Sequence, residues 1–229
     1  MSVFALVHGA WHGGWAWERL APELAAAGHD VVAPDLPSED PDAGLEAYAR
    51  TVLDALDGAG DDVVLVGHSL AGLTVPLVAA ARPVARLVLL AALLPDPGRS
   101  LADLLRADKD VLLASPGRTS DPQHRSGWTD VAAATAALYG DCDRDVAHAA
   151  FARLRLQAAT PQLEPSPLTA WPDVDATYVV CTRDRMVSPA YGARAAAARG
   201  IPVCELAGDH SPMLSCPRAL AAVLTDAGR

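Results

Sequence analysis

The stretch that decides the fold is Val63-Val64-Leu65-Val66-Gly67-His68-Ser69-Leu70-Ala71-Gly72. Its four leading apolar residues predict a strand that is buried on both faces, and a helical pattern follows Ser69 directly. Small residues beside Ser69 permit a sharp turn from strand to helix, which holds the serine in a strained conformation. We therefore predict that Ser69 is a nucleophile, the alternative being an ordinary helix N-cap. The motif departs from Gly-x-Ser-x-Gly because Ala71 replaces the second glycine.

Outward from this stretch, short apolar runs alternate with helical patterns. The predicted strands are Val3–Val7, Val31–Ala33, Val63–Val66, Leu87–Leu90, Tyr178–Cys181 and Val203–Leu206. The predicted helices are Ala16–Ala27, Leu45–Leu56, Ala71–Ala81, Tyr191–Arg199 and Pro217–Ala227. Glycine or proline follows each helix closely, as expected of helix ends. The alternation predicts an α/β fold with a doubly wound, mostly parallel six-stranded sheet.

The alternation stops between residues 95 and 172, where proline recurs. Within this interval we predict amphipathic helices at Leu101–Leu113, Val131–Leu138 and Val146–Leu156. Because strands resume afterwards, the interval is predicted to be a helical lid inserted after the fourth strand. The chain is then a single domain, with a core of residues 1–94 and 173–229 and a lid of residues 95–172. Loops and lids on a rigid sheet are where specificity tends to lie.

Composition excludes several classes of protein. The chain has 229 residues, 18 Lys+Arg against 28 Asp+Glu and a net charge of −10, so nucleic acids and anionic membranes are not expected as partners. No apolar stretch approaches the roughly 20 residues of a membrane span, and the N-terminus lacks the basic region of a signal peptide, so we expect a cytoplasmic location. The four cysteines lack the spacing of a metal site and are expected to be buried free thiols.

Two further candidate residues follow the last two predicted strands. Asp184 comes after Tyr178–Cys181, and His210 comes after Val203–Leu206. Because the carboxyl ends of parallel strands meet at one edge of a sheet, we predict that Ser69, Asp184 and His210 form a catalytic triad of nucleophile, acid and base. Asp96 is the alternative acid. Asp184 lies between two arginines, and a surface ion pair is the alternative there.

The first strand runs into a glycine-rich loop, His8-Gly9-Ala10-Trp11-His12-Gly13-Gly14-Trp15. We predict that the backbone N–H groups of Ala10 and Leu70 form an oxyanion hole. The spacing does not fit a phosphate-binding loop. His68 and Asp209 are interpreted as structural. The predicted apolar substrate pocket includes Trp11, Trp128, Tyr139, Phe151 and Met213.

The chain resembles the plant methyl esterase and hydroxynitrile lyase family of α/β hydrolases. The matching segments are LVHGAWHGGWAW, VVLVGHSLAGL, LVLLAALLPD, LYGDCDRDVA, YVVCTRDRMV and GDHSPMLSCP. The resemblance implies a six-stranded core under a lid, no metal, no cofactor, and the same triad and oxyanion residues. In the cyanohydrin-cleaving members a threonine stands at Gly9 and a lysine at Ser211. Their absence here favours the esterase branch.

These observations predict a serine hydrolase that cleaves small hydrophobic carboxylic esters, including aromatic or methyl esters, through an acyl-enzyme. The alternative is a thioesterase or acyltransferase that acts on an acyl group bound to coenzyme A or to an acyl carrier protein. Four arginines in the lid are a weak indication of such a docking surface: Arg99, Arg106, Arg118 and Arg125. A third hypothesis is a ligand-binding receptor that has kept the fold. A homodimer is left open.

Overall fold

A parallel β-sheet lies at the centre of the molecule. The computed structural model describes residues 1–94, 96–113 and 116–226, and these residues form a six-stranded sheet with the order β2-β1-β3-β4-β7-β8. Its strands are β1 Val3–Val7, β2 Asp30–Val32, β3 Val63–His68, β4 Arg86–Leu90, β7 Ala176–Cys181 and β8 Val203–Leu206. All neighbouring pairs are parallel. The predicted fold class is confirmed.

The strand order reverses between β1 and β3. From β1 the chain crosses outward to β2, whereas from β3 it continues in the opposite direction to β4, β7 and β8. A crevice opens at the carboxyl ends of two strands whose connections diverge in this way, and ligands of open α/β sheets bind there. The glycine-rich loop after β1 and the turn at Ser69 after β3 both lie at this position.

Helices cover the sheet and fill the interval between β4 and β7. They are α1 Ala21–Ala26, α2 Leu45–Ala55, α3 Val75–Ala81, α4 Leu101–Ala107, α5 Val131–Leu138, α6 Arg144–Phe151, α7 Thr160–Leu163, α8 Pro189–Ala197, α9 Pro212–Ser215 and α10 Pro217–Asp226. Two predicted helices are divided. A 3-10 turn at Gly14–Trp17 precedes α1, and another at Ser69–Leu73 precedes α3. Each α-helix then has a proline in its first turn, where the missing N–H costs no hydrogen bond.

The interval between β4 and β7 is less helical than predicted. The predicted helix Leu101–Leu113 ends at Ala107, because the chain beyond it extends and pairs with the segment after β7. Leu112 forms an antiparallel bridge with Val187, and the Ser188 N–H donates to the Val111 carbonyl at 3.0 Å. The helix predicted at Val146–Leu156 spans Arg144–Phe151 instead. The prediction at Val131–Leu138 coincides with α5.

A short antiparallel hairpin in the same interval was not predicted. Its strands are β5 Arg118–Ser120 and β6 Ser126–Trp128. The Asp121 carboxylate closes the turn by accepting hydrogen bonds from the backbone N–H and the Nε of Arg125 at 2.9 and 2.8 Å. Polar residues without apolar alternation carry no strand signal, which explains why the sequence pattern missed the hairpin. The division into core and lid stays a prediction; Pro95, at its boundary, and Ala227, in the last predicted helix, lie outside the described residues.

Two further expectations concern the thiols and the membrane. Cys142, Cys181, Cys204 and Cys216 are free thiols, but only Cys181 is buried, whereas the other three are half-buried. The expectation of four buried thiols was therefore wrong for three of them. Over the described ranges, the structure contains no helix that is long and apolar enough to cross a bilayer.

Candidate active site

Ser69 occupies a sharp turn between β3 and the 3-10 helix Ser69–Leu73. Its φ of 53° lies in the left-handed region, which costs a non-glycine residue about 1–2 kcal/mol. The turn needs Gly72, because a Cβ there would collide with the backbone carbonyl of Leu93. Ala71 is buried at the position where the motif ordinarily has glycine, and it fits there. The geometry is that of a nucleophile elbow and not that of an ordinary N-cap.

The three predicted catalytic side chains lie together. The His210 Nε2 is 3.1 Å from the Ser69 Oγ, and the His210 Nδ1 is 2.8 Å from the Asp184 Oδ2. All three residues are at most 5% exposed. In this arrangement the serine hydroxyl donates to Nε2, while the Nδ1–H donates to the carboxylate and fixes the tautomer of the ring.

The backbone after Asp184 holds its carboxylate in place. The Asp184 Oδ1 accepts hydrogen bonds from the N–H groups of Met186 and Val187 at 2.7 and 3.0 Å. Arg183 does not pair with Asp184, because its Nε donates to the Asp141 carboxylate at 2.8 Å. The alternative of a surface ion pair at Asp184 therefore has no support in the structure.

Asp96, the alternative acid, lies away from the histidine. Its carboxylate accepts a hydrogen bond from the Arg199 guanidinium at 2.7 Å, and its side chain is 78% exposed. An exposed ion pair of this kind contributes little stability. The structure thus places Asp184, and not Asp96, against His210.

The glycine-rich loop after β1 packs directly on the serine. A Cβ built on Gly9 would lie 2.9 Å from both the Ser69 Cβ and the His68 Nδ1. Within the part of the chain that the structure describes, the Ala10 N–H has no hydrogen-bond acceptor. Leu70 is the second residue of its 3-10 helix, where an N–H has no partner within the helix. Both predicted oxyanion donors are thus uncommitted and flank Ser69 in the fold.

Two neutral histidines stabilise the loop after β1. The His12 Nδ1–H donates to the Ala10 carbonyl at 2.8 Å, and the His12 Nε2 accepts from the Tyr139 hydroxyl at 2.9 Å. The His8 Nε2 accepts from the Leu36 N–H at 3.0 Å. Burial lowers the pKa of His12 to about 3 and that of His8 to about 4. Neither ring is protonated at neutral pH, so both act as fixed hydrogen-bonding groups.

His68 and Asp209 support the catalytic histidine, as the sequence interpretation of both as structural residues implied. The His68 Nε2–H donates to the His210 carbonyl at 2.8 Å, and burial lowers the pKa of His68 well below its usual range. The Asp209 carboxylate accepts hydrogen bonds from the Ser211 N–H at 3.1 Å and from the Ser215 hydroxyl at 2.8 Å. Neither side chain is hydrogen-bonded to Ser69 or to the His210 ring.

A narrow cavity with no room for a water molecule adjoins the loop after β1 and the elbow. The residues that line it are His8, Gly9, Leu36, Leu45, Tyr48, Leu70, Ala71, Thr74, Gln157 and Pro161. Sequence reasoning did not identify Tyr48, Thr74 or Gln157. The sequence could have pointed to Tyr48 alone, because this residue carries a polar hydroxyl on the otherwise apolar face of α2.

None of the five predicted pocket residues lines this cavity. Trp11 and Trp128 meet edge to face at 5.4 Å, and the Trp11 indole N–H donates to Ser126. Tyr139 and Met213 are fully buried, and Phe151 is half-buried at the end of α6. The Tyr139 hydroxyl is used by His12. As regards metals, no group of three His, Cys, Asp or Glu side chains suited to a metal ion occurs in the described ranges.

The chain belongs to the α/β hydrolase family, whose model matches residues 4–223. It is 42% identical over 109 residues to a probable esterase from Oryza sativa subsp. indica, PIR7A, a match that covers 43% of this chain and 41% of the relative. It is 41% identical over 117 residues to a carbendazim hydrolyzing esterase from Nocardioides sp. (strain SG-4G), which covers 46% of this chain and 48% of the relative. The matches thus span less than half the length of these relatives.

Solved structures support the fold over the whole chain. A pyrethroid hydrolase from Sphingobium faniae JZ-2 superposes with a TM-score of 0.81 at 24% identity and covers 99% of this chain and 97% of its own. Polyneuridine aldehyde esterase superposes with a TM-score of 0.82 at 23% identity, covering 99% and 98%. At these identities the likeness concerns the fold alone.

Proposed function

We propose that this protein is a serine hydrolase that cleaves small hydrophobic carboxylic esters. The observation that carries the proposal is the continuous chain of contacts from Ser69 through His210 to Asp184, at 3.1 and 2.8 Å. A pure binding protein has no chemical need for a strained serine, a histidine and a buried carboxylate in this order. Relatives named as esterases give independent support.

The reaction proceeds in two halves. The Ser69 Oγ attacks the acyl carbon while the His210 Nε2 accepts the hydroxyl proton, and the same proton then passes to the leaving alcohol as its C–O bond breaks. Water attacks the resulting acyl-enzyme, giving a proton to His210, which returns it to Ser69 as the acid leaves. Asp184 stabilises the transient imidazolium.

The N–H groups of Ala10 and Leu70 stabilise the negative charge on the acyl oxygen. These donors are backbone groups, so no polar side chain is needed. Because they are already in place before the reaction, they stabilise the transition state without a cost of reorganisation. The crowding at Gly9 bears on the choice between family branches. The threonine expected of cyanohydrin-cleaving lyases would place its Cβ 2.9 Å from Ser69, so this loop does not accommodate it as it stands.

The partner and the cellular location of the protein are further parts of the proposal. A thioester on an acyl carrier protein is the second candidate substrate, because the same triad serves thioesters. Two of the four arginines offered for docking are already paired, Arg106 with Asp103 and Arg125 with Asp121. This pairing favours the small-ester proposal. Cytoplasmic location and a homodimer rest on the sequence alone.

The test compares kcat/KM for an aromatic methyl ester with that for the same acyl group on a pantetheine thioester. Each rate is divided by the uncatalysed hydrolysis at the same pH. We expect the oxygen ester to be preferred and Ser69→Ala to abolish turnover. The matched control is Ser166→Ala, which removes a buried hydroxyl whose recorded partner is the Leu168 N–H and which should leave the rate unchanged. Preference for the thioester would contradict the ester assignment.

A further inference from the structure

Trp11, the residue after the proposed oxyanion donor Ala10, has a strained backbone. Its φ of 64° lies in the left-handed region, which disfavours any residue that carries a side chain. The residue is buried. Strained conformations of this kind persist only where several surrounding contacts fix them, and they cluster at active sites. The contacts that hold Trp11 therefore bear on the donor beside it.

Three contacts fix Trp11, and all of them come from the interval between β4 and β7. The Arg155 N–H donates to the Trp11 carbonyl at 2.7 Å. The Trp11 indole N–H donates to the Ser126 Oγ at 3.0 Å, and the indole ring meets that of Trp128 edge to face at 5.4 Å. Ser126 and Trp128 are the two ends of β6. The hairpin β5–β6 therefore holds the side chain of Trp11.

Ser126 is itself fixed in position. Its N–H donates to the Gln157 carbonyl at 2.8 Å, and the Gln157 N–H donates to the Ser126 carbonyl at 2.9 Å. The Ser126 Oγ–H donates a long hydrogen bond to the same Gln157 carbonyl at 3.4 Å, which leaves a lone pair on Oγ for the indole N–H. The acceptor that Trp11 uses is thus a held group and not a hydroxyl on a mobile loop.

Three successive carbonyls of the loop after β1 are hydrogen-bonded. Those of Gly9 and Ala10 accept from two histidines of the loop itself, each at 2.8 Å, whereas that of Trp11 accepts from outside the loop. Because a peptide group is planar, a held carbonyl also fixes the direction of the N–H in the same group. The Gly9 contact thus orients the peptide that carries the Ala10 N–H, and the contacts of Trp11 hold the chain directly beyond it. The donor is fixed from both sides.

We propose that Trp11 and Ser126 are positioning residues for the oxyanion hole. The hairpin β5–β6 holds Trp11 in its strained conformation through Ser126, and this keeps the Ala10 N–H directed at the acyl oxygen. The two side chains act through the loop and not on the substrate, so the rate of the chemical step depends on them and the affinity for substrate does not. This inference rests on the proposed function, which assigns the Ala10 N–H to the transition state.

The first test removes the acceptor of the indole N–H with Ser126→Ala. Loss of a whole oxyanion donor lowers kcat by about 10²–10³, whereas here the N–H stays in the molecule and only its support is lost. We therefore expect kcat to fall about tenfold and KM to stay within twofold of the wild type. Ser120→Ala is the matched control, because Ser120 pairs with Ser126 across the hairpin and its hydroxyl is directed to the Asp121 carbonyl instead. Both constants should stay unchanged in the control, and thermal unfolding measures the folded fraction of each variant.

The second test separates positioning from a general loosening of the site. Ser69 adds to the carbonyl carbon of trifluoroacetophenone and gives a tetrahedral oxyanion that resembles the transition state, whereas acetophenone stays a planar ketone. Interactions made only in the transition state affect the first inhibitor and not the second. In Ser126→Ala we expect the inhibition constant of trifluoroacetophenone to rise about tenfold and that of acetophenone to change less than twofold.

The third test removes the donor of the same hydrogen bond. Trp11→Phe should lower kcat about tenfold, and it carries the first test if Ser126→Ala does not fold. The double variant should be no slower than the slower single variant, because both substitutions remove one contact. Wild-type kcat in Ser126→Ala, a loss confined to KM, or losses that multiply in the double variant would overturn the inference. Absence of any wild-type hydrolysis that depends on Ser69 would instead refute the proposed function.

Discussion

Replacing Gly9 by alanine adds one methyl group at the point where the loop after β1 packs on the elbow. The added Cβ would lie 2.9 Å from the Ser69 Cβ, 2.9 Å from the His68 Nδ1 and 3.1 Å from the His68 carbonyl oxygen. None of these neighbours yields easily. His68 is held by its hydrogen bond to the His210 carbonyl, and Ser69 is held in its strained turn. The loop must therefore move away from the serine.

The required movement sets the size of the effect. Ordinary van der Waals separation needs a shift of about 0.5 Å, and the Ala10 N–H moves with the loop. Loss of one oxyanion donor lowers kcat by about 10²–10³, because the contact is made chiefly in the transition state. Overpacking of this kind costs about 1–3 kcal/mol of unfolding free energy. We therefore expect kcat to fall by about two orders of magnitude while KM changes little.

The assay is steady-state hydrolysis of an activated ester, together with thermal unfolding of each variant. Gly60→Ala is the matched control, because a Cβ there meets no atom within 4 Å. The control should keep the wild-type kcat. It also measures how much the free energy of unfolding rises simply because alanine lowers the conformational entropy of the unfolded chain. If Gly9→Ala retained kcat within threefold of the wild type, the placement of the oxyanion hole against this loop would be refuted.

Three further predictions concern the acid, the buried histidines and the elbow. Asp184→Asn should lower kcat by about 10⁴ with an unchanged circular dichroism spectrum, whereas Asp96→Asn should stay within twofold; equal losses would contradict the assignment. In the folded protein the pKa is about 4 for His8 and about 3 for His12, whereas in the unfolded chain both have a pKa near 6.5. The unfolded chain therefore binds more protons below pH 6.5, and the free energy of unfolding falls as the pH is lowered through that value. Urea unfolding at pH 5 should show a loss of about 2 kcal/mol for each ring relative to pH 7, and a flat profile would contradict their neutrality. Gly72→Ala should lower the unfolding free energy by about 1–3 kcal/mol in the same titration, because the added Cβ collides with the Leu93 carbonyl. A variant as stable as the wild type would contradict that collision.

The catalytic geometry could be predicted because it follows from local patterns. Ser69, Asp184 and His210 each come directly after a strand, and parallel strands bring their carboxyl ends to one edge. The glycine-rich loop is likewise fixed by the end of β1. In each case the sequence neighbourhood of the residue, together with the sheet topology, determined where the side chain would lie.

The cavity could not be predicted because distant segments build it. Tyr48 comes from α2, Thr74 from the start of α3 and Gln157 from the chain after α6. No local periodicity indicates that these residues meet. The aromatic residues favoured from the sequence were large and apolar, and the structure uses Tyr139 and Met213 for burial instead.

Tertiary contacts also changed the helix boundaries. The pattern from Leu101 to Leu113 is helical by its spacing, but the Leu113 N–H donates to the Met186 carbonyl at 2.9 Å. That contact holds the end of the segment in an extended conformation beside the backbone that carries Asp184. A weak helix propensity was overridden by pairing with a segment that the sequence pattern alone could not bring near.

The central claim is that Ser69 forms the covalent bond to substrate, and diethyl 4-nitrophenyl phosphate tests it most directly. This reagent phosphorylates an activated serine and releases one 4-nitrophenolate for each bond formed. We predict one equivalent of release per chain, loss of ester hydrolysis in parallel, and a diethylphosphoryl group on the peptide that contains Ser69. Full ester hydrolysis after exhaustive treatment, or modification of a different residue with Ser69 untouched, would contradict the account.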